Sequence, residues 1–156
     1  MDQDTWMGQA VSIALDNVKE SRGGPFGAII VKDGQIVGRG RNEVTAMNDP
    51  TAHAEVQAIR EACRKLGTFQ LSDCELYTSC EPCPMCLGAI YWARPRAVYY
   101  ACTKEDAASV GFDDHFIYEQ IMLPHEERSI PFRQIELENR QSPFVAWSQA
   151  EKRIEY

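Results

Sequence analysis

Three side chains in the middle of the sequence are of the types that bind zinc. Cys83 and Cys86 are three residues apart at the predicted start of a helix, so both sulfurs can face one point. The positive end of a helix favours thiolate, the form of cysteine that binds metal. His53, at the start of another predicted helix, adds an imidazole. Three protein ligands leave the fourth position of Zn²⁺ for water, which is typical of a catalytic site. We therefore expect one zinc ion per chain.

Glu55 follows His53 by two residues and is the candidate proton carrier. Two thiolates neutralise the charge of the metal, so a water bound to it is less acidified than in a site of three imidazoles. A nearby base must then help to remove its proton. Glu55 is not needed as a ligand, and this position predicts a catalytic role for it.

A structural zinc site is the alternative, because Cys80 could join the other three ligands in a Cys₃His set. Such a site would leave Glu55 without a role. Cys80 also ends a predicted strand, and Pro82 separates it from the helix that carries Cys83 and Cys86. We expect Cys80 to be a small buried residue. We also expect a core position for Cys63, Cys74 and Cys102, and a surface position for His115 and His125.

The elements that must position these residues alternate between helices and strands. Periodicity predicts helices over 4–20, 52–66 and 83–93, and strands over 26–31, 35–38, 74–78 and 96–101. Asp33-Gly34 between the first two strands indicates a hairpin. The strand–helix–strand order that follows implies a parallel pair with a right-handed crossover.

These elements predict the α/β class, as a three-layer α/β/α sandwich around a mixed sheet of five strands. The fifth strand is predicted at 132–137, where apolar and polar residues alternate. Residues 103–122 are expected to be short helix and loop. A last helix is predicted from Pro143 to about 153, with Ser142 as its N-cap.

Composition narrows the class of protein. The chain has 156 residues, 44% of them hydrophobic and 25% charged, which suits one soluble domain over 1–156. It has no apolar run of membrane-spanning length and no signal-peptide pattern at its N-terminus, so a cytoplasmic protein without membrane contact is expected. The net charge of −7 argues against a broad nucleic-acid surface. The six cysteines are too few for a disulfide scaffold.

The predicted chemistry suits attack on an amidine-like carbon of a nucleobase, and several residues are candidates to hold the base. Phe26 and Trp92 are candidate stacking residues, with core packing an equal alternative for Phe26. Asn42 can offer a donor and an acceptor to a base edge, or can be an ordinary turn residue. Ala54, near the start of the second predicted helix, is a further candidate for substrate binding. Asp114 can accept hydrogen bonds from an exocyclic amine and is grouped with Glu55 as catalytic, although a solvated loop is the default for its segment.

Several segments resemble the cytidine deaminase superfamily. A His-x-Glu pattern followed by Pro-Cys-x-x-Cys is typical of its zinc deaminases. The segments that carry this resemblance are 24–28, 48–55 and 77–86. Further segments resemble the bacterial guanine deaminases of the superfamily, so that the likeness spans essentially the whole chain; they are 86–95, 111–114, 130–132, 142–144, 146–147 and 155–156.

The resemblance implies hydrolysis of guanine to xanthine and ammonia. A zinc-activated hydroxide attacks C2, and Glu55 transfers the proton. It also implies a homodimer in which a C-terminal segment of about 130–156 is exchanged. This exchange brings Tyr156, and with it Phe144, to the pocket of the partner as substrate-binding residues. From the residues alone, Phe144 and Trp147 would simply pack a helix.

Other functions remain open at this point. A tRNA adenosine deaminase shares the zinc motif, but it needs a basic face, and this chain has an acidic surplus. A pyrimidine, pyrimidine-nucleoside or guanosine deaminase would carry the same ligands. A non-catalytic zinc-binding dimer would keep the ligands without needing Glu55.

Overall fold

The computed structural model of the protein describes residues 2–156, and the chain divides into two units after His115. The first unit contains the zinc-binding motif. Its elements are α1 Gln3–Lys19, β1 Gly27–Lys32, β2 Gln35–Arg41, α2 Val44–Met47, α3 Ala54–Leu66, β3 Glu75–Cys80, α4 Pro84–Ala93, β4 Ala97–Cys102 and α5 Lys104–Ala108.

The strands form one mixed sheet in the order β2-β1-β3-β4. The hairpin of β1 and β2 is antiparallel, and Asp33 and Gly34 at its turn both have positive φ, as the Asp-Gly signal predicts. β1 pairs antiparallel with β3, and β3 pairs parallel with β4 across the crossover helix α4. The predicted hairpin and the predicted parallel pair are therefore both confirmed.

The predicted fifth strand at 132–137 is wrong, since the sheet has four strands in the described part of the chain. Residues 131–137 form no regular element and are exposed. A strand is stable only when its backbone groups find a partner. Alternation of apolar and polar residues suits a strand, but it supplies no partner.

Two apolar clusters on opposite faces of the sheet give the unit its three layers. Alternate side chains of β1 enter opposite clusters, because successive residues of a strand point to opposite faces. Ile29 and Val31 pack with Trp6 and Ala10 of α1. On the other face, Ile30 packs against α3 and α4, through residues that include Ala54, Ala58, Ala62, Ile90 and Ala93.

The helix α3 lies unusually close to β2, because the strand has glycine where the two meet. A Cβ atom on Gly40 would lie 2.0 Å from the carbonyl oxygen of Ala54 and 2.6 Å from the nitrogen of Ala58. No side chain fits in that space. Gly40 therefore fixes the N-terminal turn of α3, which begins directly after His53.

The second unit, Phe116–Tyr156, has helices and no buried residue in its described part. α6 covers His115–Met122 and begins at the boundary of the units, a short 3₁₀ helix covers His125–Glu127, and α7 covers Ser142–Gln149. The unit carries a large set of exposed apolar side chains, which are Phe116, Ile117, Ile121, Met122, Ile130, Phe132, Ile135, Leu137, Phe144, Val145, Trp147, Ile154 and Tyr156. We call this set the C-terminal apolar surface.

The predicted bounds of the last helix need a correction at both ends. Its N-cap is Gln141 and not Ser142, and its last residue is Gln149 and not 153. The guanidinium of Arg153 donates to the carbonyl oxygens of Ser148 and Ala150, at 2.9 and 3.1 Å. The final carbonyls of a helix need donors, and this side chain satisfies that of Ser148, while the backbone turns extended at the C-cap Ala150.

Candidate active site

The side chains of His53, Cys83 and Cys86 meet in a group whose donor atoms all lie within 4.8 Å of one another. The Nδ1 atom of His53 lies 3.5 Å from Sγ of Cys83 and 3.4 Å from Sγ of Cys86. Tetrahedral Zn²⁺ with ordinary bond lengths would hold such nitrogen and sulfur atoms roughly 3.6 Å apart. The donor types and their spacing therefore fit zinc as the sequence predicts.

Two helix N-termini carry this group. His53 is the N-cap of α3 and Cys83 is the N-cap of α4, where Pro84 follows in the first turn. Proline suits that position because it has no N–H to satisfy and its φ is already helical. Sγ of Cys83 also accepts from the backbone N–H of Cys86 at 3.5 Å. The positive end of α4 therefore lies at the thiol of Cys83, which stabilises thiolate.

The electrostatics of the group agree with this placement. Hydrogen bonding from the Cys86 side chain, and then from His53, lowers the pKa of Cys83 to about 4 against the opposing effect of burial. The hydrogen bond to Cys83 is also the largest cause of a raised pKa for His53. Metal binding requires thiolate and neutral imidazole, so a bound cation would displace the remaining protons.

Glu55 lies in the first turn of α3 and is buried, with 6% of its surface exposed. Burial raises the pKa of its carboxyl group, since the charged form loses water, while a hydrogen bond with the Cys86 side chain opposes the shift. A buried carboxyl beside a metal-binding group, held on a helix, is suited to exchange protons with a bound reactant.

Asn42 and Phe26 lie together at the open end of the β1–β2 hairpin, where β1 begins and β2 ends. The backbone N–H of Asn42 donates to the carbonyl oxygen of Phe26 at 3.2 Å, and the side-chain Oδ1 of Asn42 accepts from the N–H of Val44 at 3.2 Å. This second bond is the turn role that was the alternative for Asn42. The ring of Phe26 meets that of Phe112 edge to face at 5.0 Å. Phe26 also contacts the cluster of α3 and α4, so core packing contributes to its position.

The charge of the metal-binding group affects the pKa of Asp114. Burial is the largest cause of its raised pKa, and the charge of Cys83 raises it further. Phe112, two residues earlier, contacts Phe26. The loop that carries Asp114 is therefore held at the same end of the sheet. Phe112, Asp113 and His115 are nevertheless exposed and Asp114 is half-buried, so the loop is largely solvated, as the default expectation had it.

The other candidates for substrate binding lie in different surroundings. Ala54 is fully buried as a whole residue and packs in the core. Trp92 is 62% exposed and lies about 9 Å along α4 and roughly 120° around it from Cys86, so the structure does not place it beside the metal ligands. Tyr156 is exposed and belongs to the second unit.

The remaining cysteines only partly follow the sequence expectation. Cys80 is buried, lies outside the metal-binding group, and burial raises its pKa to about 11. Cys74 is buried as predicted. Cys63 is half-buried and packs against the core cluster of α3 and α4, which agrees in part with its predicted core position. The predicted core position of Cys102 is wrong, since Cys102, at the end of the edge strand β4, is exposed.

Two supporting residues were missed from the sequence. The side-chain oxygen of Ser79 accepts from the backbone N–H of Gly27 at 3.0 Å, directly after Phe26. Asn17 is buried on the face of α1 that also holds Ala10 and Ala14. A polar residue that continues an apolar helical face was the available signal in the case of Asn17.

A histidine and two cysteines at two helix N-termini, with a buried carboxyl group beside them, define a mononuclear zinc hydrolase site in an α/β/α sandwich. Residues 1–102 match the family described as the cytidine and deoxycytidylate deaminase zinc-binding region. The chain belongs to this family.

Relatives differ in how much of the chain they match. Guanine deaminase of Bacillus subtilis (strain 168) is 60% identical over 156 residues, covering all of both chains. The X-ray structure of guanine deaminase from Bacillus subtilis covers 100% of this chain and 99% of its own, with a TM-score of 0.98. A structure of guanine deaminase from Nitrosomonas europaea is 34% identical and covers 72% of this chain and 65% of its own, with a TM-score of 0.69. The tRNA-specific adenosine deaminase of Aquifex aeolicus is 51% identical, over 55% of this chain and 57% of its own.

Proposed function

We propose that this chain hydrolyses guanine to xanthine and ammonia. One observation carries the proposal: the likeness to the Bacillus subtilis guanine deaminase extends over the full length of both chains. The likeness to the Aquifex aeolicus tRNA deaminase covers 86 residues of this chain. The zinc-binding region is therefore shared by both classes, and the segments beyond it favour guanine.

His53, Cys83 and Cys86 are the residues that would hold zinc, one ion per chain. When bound, the metal supplies the Lewis acidity that makes a water molecule nucleophilic near neutral pH. Glu55 takes the proton of the attacking water and delivers it to the ring nitrogen beside C2 of guanine. The exocyclic amine then leaves as ammonia, after a further proton transfer that we assign to Glu55 or Asp114. The raised pKa of both carboxyl groups supports this work, since each can hold a proton closer to neutral pH.

We propose that Phe26, Asn42 and Asp114 bind the base. Phe26 offers the face of a ring for stacking, and its edge-to-face contact with Phe112 fixes its orientation. Asn42 offers an amide to the base edge, while its backbone bond to Phe26 keeps the two residues in register. Asp114 can accept hydrogen bonds from the exocyclic amine. Ala54 would contribute its backbone N–H at the start of α3.

We also propose that the chain forms a homodimer that exchanges its C-terminal segment of about 130–156, which brings Tyr156 to the pocket of the partner. The C-terminal apolar surface supports this, because exposed apolar patches of such extent mark interaction sites. Trp92, exposed on α4, then becomes a candidate for the contact between copies.

We also propose a cytoplasmic location, since a reducing compartment keeps thiolate ligands available.

A mixed dimer tests the exchange. A full-length Glu55→Gln chain is combined with a chain that lacks its last four residues, each of which is expected to be poorly active alone. An exchanged dimer places the intact tail of the first chain over the intact Glu55 of the second, so activity returns in the mixture. Failure of a proven mixed dimer to regain activity would show that the tail does not act across subunits.

A substrate panel tests the proposed function. Ammonia release is measured from guanine, guanosine, adenine, cytosine, cytidine and a tRNA anticodon stem, with the zinc-loaded protein. We expect guanine to have the highest kcat/KM, and the net charge of −7 argues against the RNA. A clear preference for any other compound would overturn guanine as the substrate.

A further inference from the structure

Asn17 is a fully buried amide near the end of α1, with 1% of its surface exposed. Its Nδ2 group donates to the carbonyl oxygen of Gly24 at 2.7 Å and to that of Asn42 at 3.0 Å. Two carbonyl oxygens at one end of the amide require the NH₂ group there, so the orientation of the side chain is determined. A single buried side chain thus joins two separate stretches of backbone.

Those two stretches carry the groups assigned to hold the base. Gly24 lies two residues before Phe26, and Asn42 is bonded on its backbone N–H to the carbonyl oxygen of Phe26. The two hydrogen bonds from Asn17 and the backbone bond between Asn42 and Phe26 therefore connect the two stretches in a closed ring. A shift of either stretch would therefore move both the ring of Phe26 and the amide of Asn42.

Gly23 completes the set from the other side. A Cβ atom on Gly23 would lie 2.4 Å from the carbonyl oxygen of Asn42 and 3.2 Å from Nδ2 of Asn17. The turn can approach Asn42 closely only because this residue has no side chain. The close approach and the buried amide are independent observations that fix the same spacing.

The cost of burying Asn17 indicates that its role exceeds filling space. Its Oδ1 atom is buried and makes no hydrogen bond to any residue from 2 to 156. A buried acceptor without a partner destabilises the fold, so an apolar residue of similar size would pack at lower cost. What the amide supplies, and a leucine cannot, is the pair of donors that fastens the two stretches.

We propose that Asn17 is a positioning residue for the base pocket, which sets the separation and orientation of Phe26 and Asn42. The proposal rests on the proposed function, because those two residues are assigned to the base there. Asn17 itself lies on α1, apart from the two helices that carry the metal ligands and Glu55. Its loss should therefore weaken the hold on the base and leave the metal group in place.

The test compares steady-state kinetics, zinc content and thermal stability of four variants with the parent. Asn17→Asp has the same shape without the two N–H donors, and Asn17→Ser is a smaller change in case the carboxylate prevents folding. Gly23→Ala disturbs the same contact from the opposite side. Gly8→Ala is the control, because it lies on the same helix and a Cβ there meets nothing within 4 Å.

We expect KM for guanine to rise about tenfold in the Asn17 variants and in Gly23→Ala. The fall in kcat should be smaller than the rise in KM, with zinc staying at one per chain. Gly8→Ala should match the parent in KM, kcat and zinc content. A lower melting temperature with unchanged KM in the folded variants would show a merely structural role and overturn the proposal. A parent that prefers another base would refute guanine as the substrate, and the change in KM would then be judged on that base.

Discussion

The two units of the chain differ in where their apolar side chains lie. All buried residues of the described chain lie in the first unit, between Trp6 and Ala93. The metal-binding group adjoins this core. The second unit has helices without a buried residue. The comparison indicates that the first unit can position its reactive groups by its own packing. The C-terminal apolar surface is exposed, and the proposed exchange would cover it with a second copy.

The largest effect is expected at Glu55, which lies in the first unit. Glu55→Gln keeps the size of the side chain but removes the proton carrier, so kcat for guanine should fall by about 10²–10⁴. Zinc should remain at one per chain in metal analysis. Glu61→Gln is the control, because Glu61 lies on the same helix and is exposed. Near-native turnover in Glu55→Gln would remove this residue from the proton transfer.

The next effect tests whether the last four residues of the second unit take part in catalysis. Deletion of residues 153–156 should lower kcat/KM for guanine by about 10²-fold, since loss of a positioning contact alone can have that size. Zinc binding should be unchanged, because its ligands all lie in the first unit. A fully active truncated protein would mean that residues 153–156, Tyr156 among them, have no role in catalysis.

A smaller effect is expected at Gly40, where close packing on β2 positions α3, the helix that begins directly after His53. Gly40→Ala forces a Cβ against the backbone of Ala54 and Ala58, and such overpacking costs about 1–3 kcal/mol of folding free energy. Denaturant unfolding should measure it. Gly88→Ala is the matched control, because a Cβ there meets nothing within 4 Å. Equal stability in the two variants would contradict the tight fit of α3 on β2.

The smallest effect is expected at Cys80, which decides between a catalytic and a closed metal site. The thiol is buried, its pKa is raised to about 11, and it lies outside the metal-binding group. Cys80→Ser should therefore leave zinc at one per chain and change kcat by less than about twofold. Substantial loss of zinc in this variant would revive the Cys₃His site.

The contrast between the units also explains what the sequence could predict. The hairpin, α3 and α4 follow from local signals: Asp33-Gly34 at a two-residue turn, a helical apolar period, and proline at a helix start. The two strands that flank α4 then had to pair in parallel. The metal ligands were predictable for the same reason, since they occupy the first residues of those helices.

The failures occur where a segment lacks such local constraint. Residues 132–137 alternate like a strand, but no strand in the described chain pairs with them. Helix α2 is only four residues long and has no period to detect. The contact of Phe26 with Phe112 and the bonds of Asn17 join residues distant in sequence. These contacts depend on the packed fold and have no signal in residue spacing alone.

The most direct test of the central claim is a titration of activity with zinc. The protein is freed of metal with a chelator, zinc is added back in known amounts, and xanthine and ammonia are both measured from guanine. We expect equal amounts of the two products, with a rate that rises linearly with zinc and stops rising at one zinc per chain. Full activity in the chelated protein, or a rate that keeps rising to two zinc ions per chain, would contradict it.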